Sequence, residues 1–170
     1  TVAGLAAAFG SGAMTNSVEE LEDAACILII GSNTTVAHPI IATRIFRARE
    51  KGAKIIVVDP RKTHIASYAD LYLAEKSGTD VAVINGLLHI IIKEGWYDKE
   101  FVEKRTEGFA VLKTFIEEYT PARVSEITGI PEVQLRQAAE MFAKAKQSSI
   151  VYCMGITQHT VGVDNVLSLA

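Results

Sequence analysis

Two short runs constrain this chain more than any other feature: Cys26-Ile27-Leu28-Ile29-Ile30 and Lys54-Ile55-Ile56-Val57-Val58-Asp59. Each is a continuous apolar stretch of strand length, dominated by β-branched residues, without polar and apolar positions alternating. A strand with one wet face alternates, so a run like these is buried on both faces, as in a parallel sheet covered by helices. Pro39 opens a helical segment between them, with Ile40, Ile41, Ile45 and Phe46 at helical spacing. Arg44, Arg47, Arg49 and Lys51 gather toward its end, where cations suit the helix dipole, and Gly52 closes it. Ile27 to Asp59 is then a β-loop-α-β unit of about 30 residues, and a right-handed crossover sets its strands parallel and adjacent. The predicted fold class is α/β, a Rossmann-like open parallel sheet flanked by helices.

The remaining elements follow from local signals. Thr1 to Phe9 reads as a helix already under way, followed by a Gly/Ser/Asn turn from Gly10 to Asn16. Ser17 and Glu20 form the signature of a capping box opening a short helix. Ala69 to Leu73 is a candidate third strand, and Thr79 to Glu94 a long helix capped by Thr79 or Gly78. Helices are expected at Lys99–Thr106, Phe109–Glu118, Pro121–Ile127 and Pro131–Ala145. Ser149 to Cys153 is a further buried strand, leading into Met154-Gly155-Ile156-Thr157-Gln158-His159.

The 170 residues support one ordinary domain, and with 49% hydrophobic residues the chain is no disordered segment. The chain opens inside a helix without an N-cap and closes in a helix without a stop signal. Residues 1–170 therefore read as a single α/β domain cut from a longer polypeptide. A net charge of −3 argues against a nucleic-acid partner. The longest apolar stretch, Val81 to Ile92, is interrupted by Asn85, Gly86 and His89, so no membrane span is expected. With no signal-like leader in view, the expected location is cytoplasmic. Cys26 and Cys153 both fall in apolar runs and read as buried thiols. No histidines and cysteines share zinc spacing, so no metal ligand is assigned.

Ligands of open parallel sheets sit beyond the carboxyl ends of the strands. Here the loops at those ends are polar: Gly31-Ser32-Asn33-Thr34-Thr35, Asp59-Pro60-Arg61-Lys62-Thr63 and Gly155 to His159, with Ser77-Gly78-Thr79-Asp80 before the long helix. Gly31 lets backbone approach a phosphate, and the next helix N-terminus offers free N–H groups. Ser32, Asn33 and Thr34 add short donors. Asp59 lies roughly 28 residues after Gly31, near the usual place of a carboxylate that accepts from ribose. Arg61 suits a phosphate. Asp80 can accept two N–H donors from a guanine edge, which adenine does not present. Each signal also has a plain alternative: Asp59 as a turn residue before Pro60, Asp80 as a first-turn helix residue, Gly155 as a turn glycine. His38 before Pro39 reads as a helix-entry residue rather than a metal ligand, and His64 and His89 as ordinary helix positions. The full three-glycine dinucleotide fingerprint is absent, since Gly31 stands alone. An NAD-type nucleotide-binding domain is thus an alternative reading. Thr128 to Arg136 resembles part of a helix-turn-helix, but its outer face is not basic.

Several strings together resemble one family. Gly10-Ser11-Gly12-Ala13-Met14-Thr15-Asn16, Gly31-Ser32-Asn33 with Ala37-His38-Pro39, and Ala53 to Lys62 are similar to the catalytic (alpha) subunit of molybdopterin-dependent formate dehydrogenases. So are Arg105-Thr106-Glu107-Gly108-Phe109, Tyr119-Thr120-Pro121 and Met154-Gly155-Ile156-Thr157-Gln158, in order over essentially the whole chain. These enzymes are of the dimethyl-sulfoxide-reductase type, with molybdenum or tungsten held by two molybdopterin guanine dinucleotides (bis-MGD).

The resemblance implies that this piece grips one guanine dinucleotide. The cofactor-contacting positions it suggests are Gly31, Ser32, Asn33, His38, Asp59, Pro60, Arg61, Gly78, Asp80, Met154, Gly155, Ile156, Thr157 and Gln158. His159 reads as filling a slot where the family has an aromatic residue. The metal-ligating cysteine or selenocysteine and catalytic histidine are implied just before Val2-Ala3-Gly4-Leu5, and the iron–sulfur cysteines further upstream. No catalytic or metal residue is therefore expected in this chain, and the fragment alone is expected to be inactive. The implied activity is oxidation of formate to carbon dioxide, with other domains of the subunit and electron-transfer subunits as partners. A related molybdopterin oxidoreductase resembling nitrate reductase is the nearest alternative.

Overall fold

In the computed structural model, which describes residues 1–170, four strands form one parallel sheet in the order β3-β2-β1-β4. β1 (Cys26–Ile30) is central, with β2 (Lys54–Val58) on one side and β4 (Ser148–Tyr152) on the other. β3 (Leu71–Leu73) pairs with the outer edge of β2. Cys26 pairs with Lys54 and Ser148, and Ile30 with Val58 and Tyr152, so three strands start and end together.

Side chains of a strand point alternately to its two faces, which splits the core in two. Cys26, Leu28 and Ile30 join Ile56, Val58, Leu71 and Leu73 on one face. They pack against α4 (Asp80–Glu94), α7 (Pro121–Thr128), α8 (Glu132–Ala143) and α10 (Gly162–Leu169), with Leu5 of α1 (Val2–Phe9). Ile27, Ile29, Ile55 and Val57 face the other way, onto Ile45 and Ala48 of α3 (Pro39–Glu50) and the 3-10 turn Ile65–Tyr68. All four are essentially inaccessible to solvent, and each contributes about 1.5–3 kcal/mol by burial. α2 (Thr34–Ala37) and α9 (Met154–Thr157) are single turns, and α5 (Lys99–Arg105) and α6 (Phe109–Phe115) bury no residue of their own.

Three expectations are corrected here and one is extended. The strand near residue 150 is not buried: every residue of β4, an edge strand beside β1, is half-exposed. Cys153 lies just past that strand and is likewise half-buried, whereas the Cys26 thiol is fully buried and pushed up to about 11, chiefly by burial. Ile40 points to solvent, and α3 presents Ala42, Ile45 and Ala48 to the core instead. The basic residues of α3 have a specific partner as well as the helix dipole. Arg44 and Arg47 donate to Glu22 Oε1, whose carboxyl these hydrogen bonds hold down at about 2. Glu22 belongs to the 3-10 turn Glu19–Asp23, and the capping box forms at its entry. Ser17 N–H donates to Glu20 Oε2 at 2.6 Å and Glu20 N–H to Ser17 Oγ at 3.4 Å.

α4 crosses α7 closely because Gly86 has no side chain. A Cβ there would lie 2.8 Å from Val124 Cγ2, and Val124 is fully buried and unable to move aside. Gly86→Ala is therefore expected to lower the unfolding free energy by about 1–3 kcal/mol in denaturant titration. Adding Val124→Ala should recover part of the loss, and an unchanged Gly86→Ala midpoint would show that the helices do not cross this closely.

Candidate functional site

Because the strands are parallel and in register, their carboxyl ends emerge on one side, and the loops leaving them surround a single cleft of about 330 Å³. That volume lies at the low limit of the roughly 300–1,000 Å³ typical of ligand sites.

Its floor is a backbone crossing. Gly31 leaves β1 with φ +55°, a conformation that a side chain disfavours, and its N–H donates to Val58 O at 3.1 Å. Gly155, after β4, donates its N–H to Gly31 O at 3.0 Å. A Cβ on Gly155 would lie 2.5 Å from Gly31 O, and one on Gly31 2.8 Å from the Gly155 carbonyl carbon. Neither obstacle is a side chain that can turn away. His159 Nε2 lies 2.6 Å from Gly155 O and secures the second loop from the far side.

The wall beyond β2 is built around Asp59, which is buried. Asp59 N–H donates to Leu73 O at 3.2 Å, extending the β2–β3 pairing by one bond. Its carbonyl accepts from the Tyr72 hydroxyl at 2.9 Å, and Asp59 Oδ1 accepts the Arg61 N–H at 2.9 Å. The turn reading of Asp59 therefore holds in the structure, yet its residue also lines the cleft. The Arg61 guanidinium remains exposed, with Nε 3.9 Å from Asp59 Oδ1. The opposite wall is the loop from Glu75 to Thr79. Lys76 N–H donates to Thr128 O at 2.8 Å and Lys76 Nζ to Glu126 O at 3.2 Å, which ties the loop to α7. Thr79 Oγ1 donates to Lys76 O at 2.6 Å, and Gly78 turns the chain at φ +81°. Asp80 then begins α4, buried in its first turn.

The structure thus brings Gly31, Asn33, Asp59, Pro60, Arg61, Gly78, Asp80, Met154 and Gly155 to one cleft. Five other candidates lie elsewhere. Ser32 is buried and its hydroxyl pairs with that of Thr34 at 2.9 Å. Ile156 is a core residue, Gln158 is exposed, and Thr157 faces a neighbouring apolar hollow. His38 sits at the rim, with Nε2 3.5 Å from Cys153 Sγ. The helix after Gly31 opens at Pro39 as expected, preceded by the single turn α2, and its first residue has no N–H to offer a ligand. His89 belongs to none of this: it is buried in α4 with Nδ1 2.9 Å from Ile116 O.

Sequence reasoning missed Glu75 and Cys153, named Ser77 only as part of its loop, and read His159 as filling an aromatic slot rather than lining the cleft. Glu75 had a signal. Leu71 and Leu73 point inward from β3, and the same two-residue step continues to Glu75. Its side chain lines the cleft, only 4% of the residue is exposed, and Oε2 has no hydrogen-bond partner. Burial pushes the carboxyl up to about 8. Its own backbone N–H opposes that only in part, and Asp80 and Asp59 raise it further.

Glu75 must therefore weaken the fold as pH rises. A carboxyl that ionises near 4.5 when unfolded and near 8 when folded stabilises the folded form fully only below 4.5, and loses that contribution through 8. Glu75→Gln is expected to match the wild type in thermal unfolding near pH 4 and to exceed it increasingly toward pH 8. Parallel curves across this window would mean that Glu75 is not desolvated. Gly155→Ala is expected to cost about 1–3 kcal/mol in denaturant unfolding, because only backbone can yield. A neutral result would refute the crossing.

The chain matches the family described as molybdopterin oxidoreductase over residues 3–170. It is 54% identical over 168 residues to the F420-dependent formate dehydrogenase 1 subunit alpha of Methanococcus maripaludis, covering 99% of this chain and 25% of that one. It is 44% identical over 169 residues to formate dehydrogenase H of Escherichia coli, covering 99% and 24%. Among solved structures, acetylene hydratase from Pelobacter acetylenicus superposes with a TM-score of 0.80 at 33% identity, over 89% of this chain and 22% of that one. The chain spans about a quarter of the length of the curated relatives it matches.

Proposed function

This chain belongs to the molybdopterin oxidoreductase family, and from that premise we propose that residues 1–170 are the domain that grips the guanine end of a molybdopterin guanine dinucleotide in a formate dehydrogenase. The supporting observation is the donor and acceptor set of the cleft. Asp59, after β2, and Asp80, at the start of α4, are both buried and line the cleft together with the Gly31–Gly155 crossing and the exposed Arg61 guanidinium. A purine nucleotide needs acceptors for its N–H edge and ribose hydroxyls, backbone that can be approached closely, and a cation for its phosphates. Here these are Asp80, Asp59, the paired glycines and Arg61.

When bound, the metal–pterin group supplies two-electron chemistry, by which formate becomes carbon dioxide with release of a proton and two electrons. The work of this chain is binding and orientation. Asp80 accepts from the guanine N1–H and N2–H groups, a bidentate arrangement that adenine cannot match. Asp59, held by Tyr72 and by its own turn, accepts from ribose. Gly31 and Gly155 keep the loop backbones close enough to leave room for the sugar–phosphate. Formate as the substrate is proposed because relatives at 54% and 44% identity carry that activity in their names, ahead of a nitrate reductase of Symbiobacterium thermophilum at 38%. The metal ligand, the catalytic histidine and an iron–sulfur cluster are assigned to other parts of the subunit.

Asp80→Asn replaces one acceptor oxygen by a donor. In the full-length subunit purified without its cofactor, calorimetry should show GMP binding weakened by about 1–3 kcal/mol. Equal affinity before and after the substitution would refute Asp80 as the guanine reader.

A further inference from the structure

The proposed role of Asp80 leaves one buried group of the cleft unused. Glu75 is only 4% exposed, lines the cleft, and has an oxygen, Oε2, without a hydrogen-bond partner. Lys76, next in the chain, is turned away to Glu126 O and does not neutralise it. A carboxylate in that position would face two other carboxyl groups with no cation between them, so the stable form is the neutral acid, as its value of about 8 also indicates. A neutral acid carries what the other two lack, a hydroxyl that donates.

We propose that Glu75 is a specificity-determining residue whose Oε2–H donates to the ring carbonyl (O6) of guanine while Asp80 accepts from the N–H groups alongside it. This rests on the guanine reading above and extends it. Asp80 alone recognises N–H donors, and many ligands supply those. The pair recognises a lactam edge, a C=O directly beside an N–H, which guanine and hypoxanthine have and adenine and 2-aminopurine lack. The buried oxygen without a partner becomes satisfied only when such an acceptor arrives, which explains how a group that weakens the empty fold at neutral pH has a use in the filled one.

The donor is lost when Glu75 ionises, and the new charge then repels O6. Binding should therefore be strongest below pH about 8 and fall by about tenfold for each pH unit above it. Other titratable or charged groups face this carboxyl or share its cleft: Asp59 and Arg61 after β2, Tyr72 of β3, Asp80 of α4, and Cys153 and His159 beyond β4. Guanine N1 titrates in alkali too. The variant Glu75→Gln separates them, because its amide donates at every pH while those groups are untouched.

The test uses the full-length subunit purified without its cofactor, with GMP, 6-thio-GMP and AMP as probes in calorimetry between about pH 7 and pH 9. Wild type is expected to bind GMP with the alkaline decline, Glu75→Gln to bind it without most of that decline, and Glu75→Leu to bind it about 3- to 10-fold more weakly at pH 7. Wild type should prefer GMP to 6-thio-GMP, a weaker acceptor at that position, and Glu75→Leu should lose the preference. If GMP binds and Asp80→Asn weakens it while Glu75→Leu binds like wild type, or if Glu75→Gln declines with pH as wild type does, the inference is overturned and the guanine reading survives. If wild type binds GMP no better than AMP, both fall together.

Discussion

The close passage of Gly31 and Gly155 is the contact on which the cleft depends. β1 and β4 run parallel and in register, so the chain leaves both at the same level and the two exits must share one space. They do so only because neither residue has a Cβ: the N–H of one meets the carbonyl of the other at 3.0 Å. That bond joins the two loops beyond the last regular pair of the strands, Ile30 and Tyr152. With the exits joined, the β2 exit at Asp59 and the loop into α4 close around them, and the cleft has a floor made of backbone rather than of mobile side chains.

A second consequence concerns charge. The walls carry Asp59, Glu75 and Asp80, all buried, while Arg61, which lines the same cleft, is exposed with its Nε 3.9 Å from Asp59 Oδ1. Burying like charges without a partner is unfavourable by several kcal/mol, and a fold selected for stability alone has no reason to gather them. The site relieves this in different ways. Asp59 is stabilised by the N–H of Arg61, and Glu75 by remaining protonated. Elsewhere, carboxylates have direct partners. Glu22 takes two arginines of α3, and Asp70 accepts from Lys54 Nζ at 2.8 Å and from the Ile55 N–H at 2.9 Å. The contrast between satisfied structural carboxylates and one unsatisfied cleft carboxyl separates the site from the scaffold.

The scaffold was legible because its signals are local. Unbroken apolar runs mark strands buried on both faces, Pro39 and Pro121 mark helix starts, and Gly52 marks the end of α3. The half-exposure of β4 was not legible, since Ser149 to Tyr152 has the composition of an inner strand and only sheet order makes it an edge. In the cleft, loop membership was visible and side-chain direction was not. Ser32 and Asn33 are neighbours of equal promise in sequence, yet one hydroxyl turns inward to Thr34 and the other residue lines the cleft. Ile156 and Gly155 divide in the same way.

Periodicity, punctuation by glycine and proline, and the ordered strings of a known family were enough to determine the parallel α/β architecture, the edge of the sheet where a ligand belongs and the family of the chain. These depend on the backbone and on the apolar faces it must bury, which one-dimensional patterns encode directly. Tertiary structure alone decided that Glu75 stands with Asp59 and Asp80, that Gly31 touches Gly155, and that Ser32 and Ile156 turn away. Those relations join segments up to a hundred residues or more apart, and they hinge on ångström-scale approach and on which partner each polar atom finds once the sheet has closed.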